Sequence, residues 1–303
     1  MFDIIVIGGT NIDIKAKTDK AHLAGTSNPG VITFTPGGVA RNIAHNLGLL
    51  GVKVALVSVI GTDAAGDIAA SATQAAGVDM SLCLRSTAAT GAYVAVLDEA
   101  GELVSAVNDM RILEELTPAT VKSHIATLMV AKFVVVDCNV SLDLLEWLAL
   151  HFGEKLIVEP VSVAKCQKLR TLLEKYEVFI ATPNRDQLTA LSDMADVGAA
   201  CADLHERGLQ NLVVHLGSEG AVVSAQEATR HFQGVAQSHV CDVTGAGDSA
   251  VAGLVYGLAK GYDIATAAQF GQAAASLVLN STASTATGLT EAALQTIVKG
   301  ANA

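Results

Sequence analysis

The segment Asp242-Val243-Thr244-Gly245-Ala246-Gly247-Asp248-Ser249 runs directly into Ala250 to Leu258, whose apolar residues recur at helical spacing. Two glycines flank one alanine where a loop becomes a helix. The first N–H groups of a helix have no partner within it, and the peptide dipoles add positive potential at that end. Backbone N–H groups at such a helix start would make an anion hole for a phosphoryl group carrying charge in transit. Asp248 stands at the mouth of the same helix. An ordinary carboxylate is ionised at neutral pH and can accept a proton from an attacking hydroxyl. A glycine turn with Asp248 as helix cap has the same spacing, and spacing alone weighs the two evenly.

Working back from this segment, the chain alternates short apolar runs with helical patterns. Ile4–Gly8, Val54–Ile60, Phe133–Cys138, Leu156–Val158, Val178–Ala181 and Leu212–Leu216 read as buried strands. Val39–Leu50, ending at Gly51, and Ala64–Ala76, stopping at Gly77, read as helices, and the chain beyond Gly247 is mostly helical. Such alternation over 303 residues predicts an α/β fold, a mostly parallel sheet with helices on both faces. Two stretches break the rhythm. Residues 13–36 hold polar and Gly/Pro residues with the strand-like Val31–Thr35, and residues 88–110 read as a β-hairpin around Glu99-Ala100-Gly101-Glu102. Neither adds helices to the main sheet, and together they suit a small β-sheet standing off it, either a lid over a cleft or a decorative excursion.

Composition narrows the function classes. Lys plus Arg is 19 against 30 Asp plus Glu, a formal charge of −11, which gives no field for holding nucleic acid. Mean hydropathy is +0.44, but the most apolar stretch, Leu128 to Cys138, is interrupted by Lys132 and is far too short for a membrane span. The N-terminus reads as a first strand and not as a signal peptide. Five scattered cysteines without a CxxC pair suit a reducing, cytoplasmic setting.

Three further segments carry candidate ligand contacts. In Pro36-Gly37-Gly38-Val39-Ala40-Arg41-Asn42-Ile43-Ala44, paired glycines let a ligand approach the backbone, and Asn42 on the first helical turn can bond hydroxyls. In Gly8-Gly9-Thr10-Asn11-Ile12-Asp13, Asn11 and Asp13 follow the first strand, where ligands sit in open α/β sheets. In His215-Leu216-Gly217-Ser218-Glu219-Gly220, Gly217 and Gly220 suit a phosphate loop or an ordinary β-turn. The Walker A pattern, the dinucleotide GxGxxG and metal-ligand histidine spacings are absent.

The order and spacing of Pro36-Gly37-Gly38-Val39-Ala40-Arg41-Asn42 and Asp242-Val243-Thr244-Gly245-Ala246-Gly247-Asp248 closely resemble the two signatures of the ribokinase/PfkB family, and the resemblance covers essentially the whole chain. It implies a single ribokinase-like domain over 1–303, a three-layer α/β/α sandwich with a small β-sheet lid at about 13–36 and 88–110. It implies phosphoryl transfer from ATP, with Mg²⁺ travelling with the nucleotide, to a small-molecule nucleoside or sugar. Asp248 would be the base, with the amides of Gly245, Ala246 and Gly247 as the anion hole. Asn11, Asp13, Gly37, Gly38 and Asn42 would surround the acceptor. Asn184, Gly217, Gly220 and Asn280 would surround the nucleotide. The resemblance implies that Asp242 helps hold a monovalent cation, K⁺, and that a homodimer forms through the lids.

Within that family, Asn28-Pro29-Gly30, Asn108-Asp109-Met110, Asp137-Cys138-Asn139, Glu159-Pro160-Val161-Ser162 and Lys165-Cys166 look like the pseudouridine kinase branch. That closer resemblance makes Asn108, Asp109 and Asn139 candidate contacts to ribose and base, and phosphorylation of the 5′-hydroxyl the expected reaction. Another ribonucleoside or a sugar, or a non-catalytic binding member, are the competing readings. One position departs from the family. Where Asn-x-x-Glu is usual, the chain has Asn184-Arg185-Asp186-Gln187, so the Glu that helps organise water around Mg²⁺ is an amide.

Overall fold

Apolar residues fill most of the short runs between turns, and the runs form strands buried on both faces. The computed structural model describes residues 1–225, 228–235, 245–279, 285 and 288–301. In chain order the strands are β1 (Ile4–Ile7), β2 (Asn11–Thr18), β3 (Gly30–Gly37), β4 (Val54–Val57), β5 (Val59–Gly61), β6 (Leu84–Ser86) and β7 (Gly91–Leu97). They continue with β8 (Leu103–Asp109), β9 (Phe133–Asp137), β10 (Leu156–Glu159), β11 (Val178–Ala181), β12 (Leu209–His215), β13 (Ala221–Ala225) and β14 (Ala228–Phe232). The helices are α1 (Val39–Leu49), α2 (Ala64–Ala75), α3 (Pro118–Lys122), α4 (Ile125–Val130), α5 (Leu142–Phe152) and α6 (Gln167–Leu172). After them come α7 (Arg185–Ser192), α8 (Val197–Glu206), α9 (Ala246–Ala259), α10 (Ile264–Val278) and α11 (Glu291–Ala301).

The main sheet has the order β14-β13-β12-β11-β10-β9-β1-β4. From β4 to β12 its neighbours are parallel, and β13 and β14 close one edge as antiparallel strands. Successive side chains on a strand face opposite ways, and both sets are apolar here. Ile5, Ile7, Val134, Val136 and Val158 pack with α5, α6, α7 and α8 on one face. Ile4, Val6, Val135, Ile157 and Val213 pack with α1, α9, α10 and α11 on the other. The result is the expected three-layer arrangement. No helix among the described residues is long and apolar enough to cross a membrane.

Helices α9 and α10 lie unusually close. A Cβ on Gly253 would come within 2.4 Å of the Phe270 carbonyl oxygen, and one on Gly271 within 2.7 Å of that of Ala250. Close approach here fixes α9, and with it the direction in which its N-terminus points.

Strands β3-β2-β7-β8 form a separate small sheet. β2 and β3 pair antiparallel, β2 and β7 parallel, β7 and β8 antiparallel. The hairpin expected within 88–110 is β7–β8, and the strand expected at 31–35 is the middle of β3. The sheet begins earlier than expected, at Asn11, where β2 starts to pair with β3 and β7. The single strand expected at Val54–Ile60 is two. The chain breaks at Ser58, whose hydroxyl donates to the Gly8 carbonyl at 2.6 Å, and β5 leaves the main sheet to pair with β6.

Candidate active site

Helix α9 enters the site N-terminus first. Gly245 takes the left-handed conformation (φ 80°, ψ −1°) and leaves the first turn with no side-chain cap. The backbone N–H groups of that turn are therefore free to meet an anion. Open space surrounds the Cα of Gly247, so nothing crowds the amides.

Asp248 lies on this turn. Its carboxyl accepts from the amide Nδ2 of Asn42 at 2.8 Å, which ties α9 to α1 across 206 residues. One helical turn further on, Asn46 Nδ2 donates to Ser249 Oγ at 2.9 Å, so the register between the two helices is fixed twice. Asp248 is half-buried. Its enclosure pushes the carboxyl up to about 7, the amide of Asn42 pulls it back, and the carboxylates of Asp137 and Asp13 push it further up.

The glycine loops are held by a residue to which sequence reasoning gave no role. Asp137 ends β9 and is fully buried. Its Oδ2 accepts from the backbone N–H groups of Gly9 and Ala40, each at 2.9 Å, and its Oδ1 from that of Asn139 at 2.9 Å. One carboxyl thus joins the β1–β2 loop, the start of α1 and the β9–α5 loop. Burial raises its pKa, and the three amides oppose that. Gly38 is required at the start of α1: its φ is +99°, and a Cβ there would come within 2.4 Å of the Gly9 carbonyl oxygen. The available signal for Asp137 was a lone carboxylate ending an otherwise apolar strand. Glu159 ends β10 in the same way. It accepts from Val161 N at 2.7 Å, and burial raises its pKa well above the usual range, with Asp248 and Asp137 adding to the effect.

Asn11 and Asp13 lie on β2, opposite Gly37 and Thr35 of β3. Asn11 Nδ2 donates to Asp13 Oδ1 at 2.7 Å, and the Asp13 carboxyl occupies the space that a side chain at Gly37 would need. Burial raises the Asp13 pKa, and the Asn11 amide opposes it. Asn108 and Asp109, at the end of β8, share a cleft of about 620 Å³ with Asn139, Arg111, Glu114 and Lys168. Lys165 Nζ donates to Asn139 Oδ1 at 2.5 Å, and within the cleft Asp109 pairs with Arg111 at 2.5 Å.

A second cleft, of about 510 Å³, is lined by Asn184, His215, Gly217, Gly220, Ala246 and Gly247 among others. The uncapped α9 amides and the open Cα faces of Gly217 and Gly247 suit a phosphate-bearing ligand of nucleotide size. His215, which sequence reasoning left without a role, lines this cleft. Burial lowers its pKa to about 4, so its ring is neutral. The amide oxygen of Gln187, at the position where the family has Glu, accepts the Asn184 backbone N–H at 2.9 Å. Asn184 Oδ1 accepts the Gln187 N–H in return, a capping box that starts α7. Among the described residues no group of three His, Cys, Asp or Glu is placed to hold a metal ion. Asp242 and Asn280 lie outside the described residues.

Residues 1–291 match the pfkB family carbohydrate kinase model. The chain is 35% identical over 284 residues to a pseudouridine kinase of Escherichia coli, covering 91% of this chain and 90% of that protein. It is 29% identical over 296 residues to a guanosine-inosine kinase of Exiguobacterium acetylicum, covering 93% and 96%. Among solved structures, a carbohydrate kinase from Agrobacterium tumefaciens superposes with a TM-score of 0.86 at 29% identity, over 99% of this chain and 97% of that one. An Arabidopsis thaliana ribokinase superposes with a TM-score of 0.83 at 20% identity, over 98% and 99%, which fixes the fold as ribokinase-like. With a family match that spans nearly its whole length, this chain belongs to the pfkB family of carbohydrate kinases and is a small-molecule kinase.

Proposed function

We propose that the chain phosphorylates pseudouridine at its 5′-hydroxyl, using ATP as donor. The observation that carries this reading is the polar cleft where Asn108, Asp109 and Asn139 come together from two distant segments. Plain sugar recognition needs fewer such groups. Pseudouridine presents one more ring N–H than uridine, and Asp109, Glu114 or the Asn108 amide oxygen offers an acceptor for it.

In this reading Asn11, Asp13 and Asn42 hold the ribose hydroxyls, and the backbone at Gly37 and Gly38 lets the sugar approach closely. Asp248 takes the proton of the 5′-hydroxyl as that oxygen bonds to phosphorus and the bridging bond to the ADP leaving group breaks. The amides of Gly245, Ala246 and Gly247 meet the charge on the transferring group. Asn184, Gly217 and Gly220 line the nucleotide side. Mg²⁺ bound with ATP would neutralise phosphate charge, and K⁺ near Asp242 would steady the anion-hole loop. The small sheet acts as a lid that excludes water, a second copy pairs through it, and the protein works in the cytoplasm.

The test is ADP formation with a panel of nucleosides and sugars. Pseudouridine should give a kcat/KM at least ~10-fold above uridine or ribose, as expected for one hydrogen bond made or left unpaired. A preference for guanosine, inosine or a free sugar would overturn the substrate and keep the kinase.

A further inference from the structure

Arg41 is a buried cation to which no step described above gives a role. It is 3% exposed, and its hydrogen bonds go to neutral acceptors. Nε donates to Thr73 Oγ1 at 3.0 Å, and Nη1 donates to the Pro36 carbonyl at 3.3 Å and to Asn42 Oδ1 at 3.1 Å. Nη2 meets His45 Nδ1 at 3.0 Å. Burying a guanidinium is costly unless its donors find acceptors, and all of the partners found here fix its orientation. Burial lowers its pKa to about 10, against the opposing pull of Asp13, so it stays charged at neutral pH. The ring of His45 is neutral, because burial and Arg41 together lower its pKa to about 4.

The contact with Asn42 has a directional consequence. A guanidinium has only donors, so the end of the Asn42 amide that faces it must be the oxygen. The other end, the NH₂, is then turned on Asp248 Oδ2. Turned the other way, the amide would set an oxygen against the carboxylate and an NH₂ against the cation, both repulsive. We propose that Arg41 is a positioning residue that locks the Asn42 amide so that it donates to Asp248, and so sets the state in which Asp248 receives the hydroxyl proton. Thr73, on α2, holds the guanidinium by Nε and thereby links α2 to the reacting carboxyl through two side chains. This rests on Asp248 being the base, as under Proposed function.

The effect is read in the acid limb of kcat/KM, which reports the free enzyme. The groups facing Asp248 are Asn42 from α1, Asp13 from β2, Asp137 from β9 and Glu159 from β10. Arg41 acts on it only through Asn42. In Arg41→Met the amide is released, its hydrogen bond to the carboxylate weakens, and the acid form is favoured. The limb should move up by about one pH unit, a ~10-fold loss on the acid side, with the alkaline plateau within about three-fold of wild type. Asn42→Ala should move the limb at least as far, and the double variant no further than Asn42→Ala, since two residues acting through one bond are non-additive. A uniformly lowered profile with an unmoved limb, or shifts that add in the double variant, would overturn the inference. If Arg41→Met does not fold, Arg41→Lys takes its place. It keeps the charge and stem but cannot span Thr73, Pro36 and Asn42 at once, so a smaller shift in the same direction is expected and no shift overturns the proposal. If the wild type phosphorylates none of the panel, the functional reading has failed instead. Carbon-13 carboxyl NMR then titrates Asp248 directly in both proteins without turnover, and an equal pKa in the two overturns the inference by itself.

Discussion

At the scale of single residues, the site turns on how Asp248 titrates. Its carboxyl is pushed up to about 7 by enclosure and by Asp137 and Asp13. With Asp248 as the proposed base, the protonated acid cannot take a proton, so kcat/KM should fall tenfold per pH unit below about pH 7. Asp248→Asn should cost at least ~10²-fold in turnover. A raised carboxyl pKa also has a fixed sign for stability. The folded state prefers the neutral acid, so the associated stability is full below the unfolded value of 3.8 and is lost as pH rises through about 7. Asp248→Asn removes that loss, and its gain in Tm should be larger at about pH 8 than at about pH 5. Calorimetry at the two pH values checks this, and an equal or reversed gain would show that Asp248 is not the group held high.

Among the elements, the loops after β1 and β9 and the start of α1 depend on one another through Asp137. Removing its carboxyl in Asp137→Ala leaves the buried amides of Gly9, Ala40 and Asn139 without their acceptor. The expected loss of stability is on the order of 3 kcal/mol. The same loops carry Gly38, Asn42 and Asn139, proposed above as acceptor contacts, so KM for the acceptor should rise while KM for ATP, proposed to bind in the cleft of Asn184, Gly217 and Gly247, stays near wild type. Denaturant melts and the two KM values decide it. A rise confined to ATP would mean that Asp137 serves the other cleft. Residues 184–187 show an element using what the sequence assigned to chemistry. Gln187 completes the cap of α7, and its oxygen is engaged in that role.

For the whole molecule, the small sheet is the exposed part. Strand β8 is exposed along its length, and Val31, Ile32, Phe34, Leu103 and Val107 are each more than half exposed. Apolar groups gathered on an outlying sheet are the mark of a surface that meets another surface. With the pairing proposed above, the wild type should sediment as a dimer at micromolar concentration, and Phe34→Asp combined with Val107→Asp should give a monomer with an unchanged melt of the main domain. A wild type that sediments as a monomer would remove the dimer.

The sequence by itself determined the strand–helix alternation, the hairpin at β7–β8 and the start of α9 at Gly245, because each is set by residues adjacent in the chain. Periodicity reports how one segment is buried, and glycines at a helix start report what its backbone can meet. Neither says which segments become neighbours. The strand order, with β1 between β9 and β4, brings Asp13, Asp137, Glu159 and Asp248 together from four parts of the chain. Only that assembly sets the carboxylates of Asp13, Asp137 and Glu159 around Asp248 and gives the Asp137 carboxyl its three amide donors. The break at Ser58 was hidden for the same reason: its cause is the Gly8 carbonyl, 50 residues away. Local chemistry was legible because it is local, and the electrostatics of the site was decided by contacts that only the tertiary structure makes.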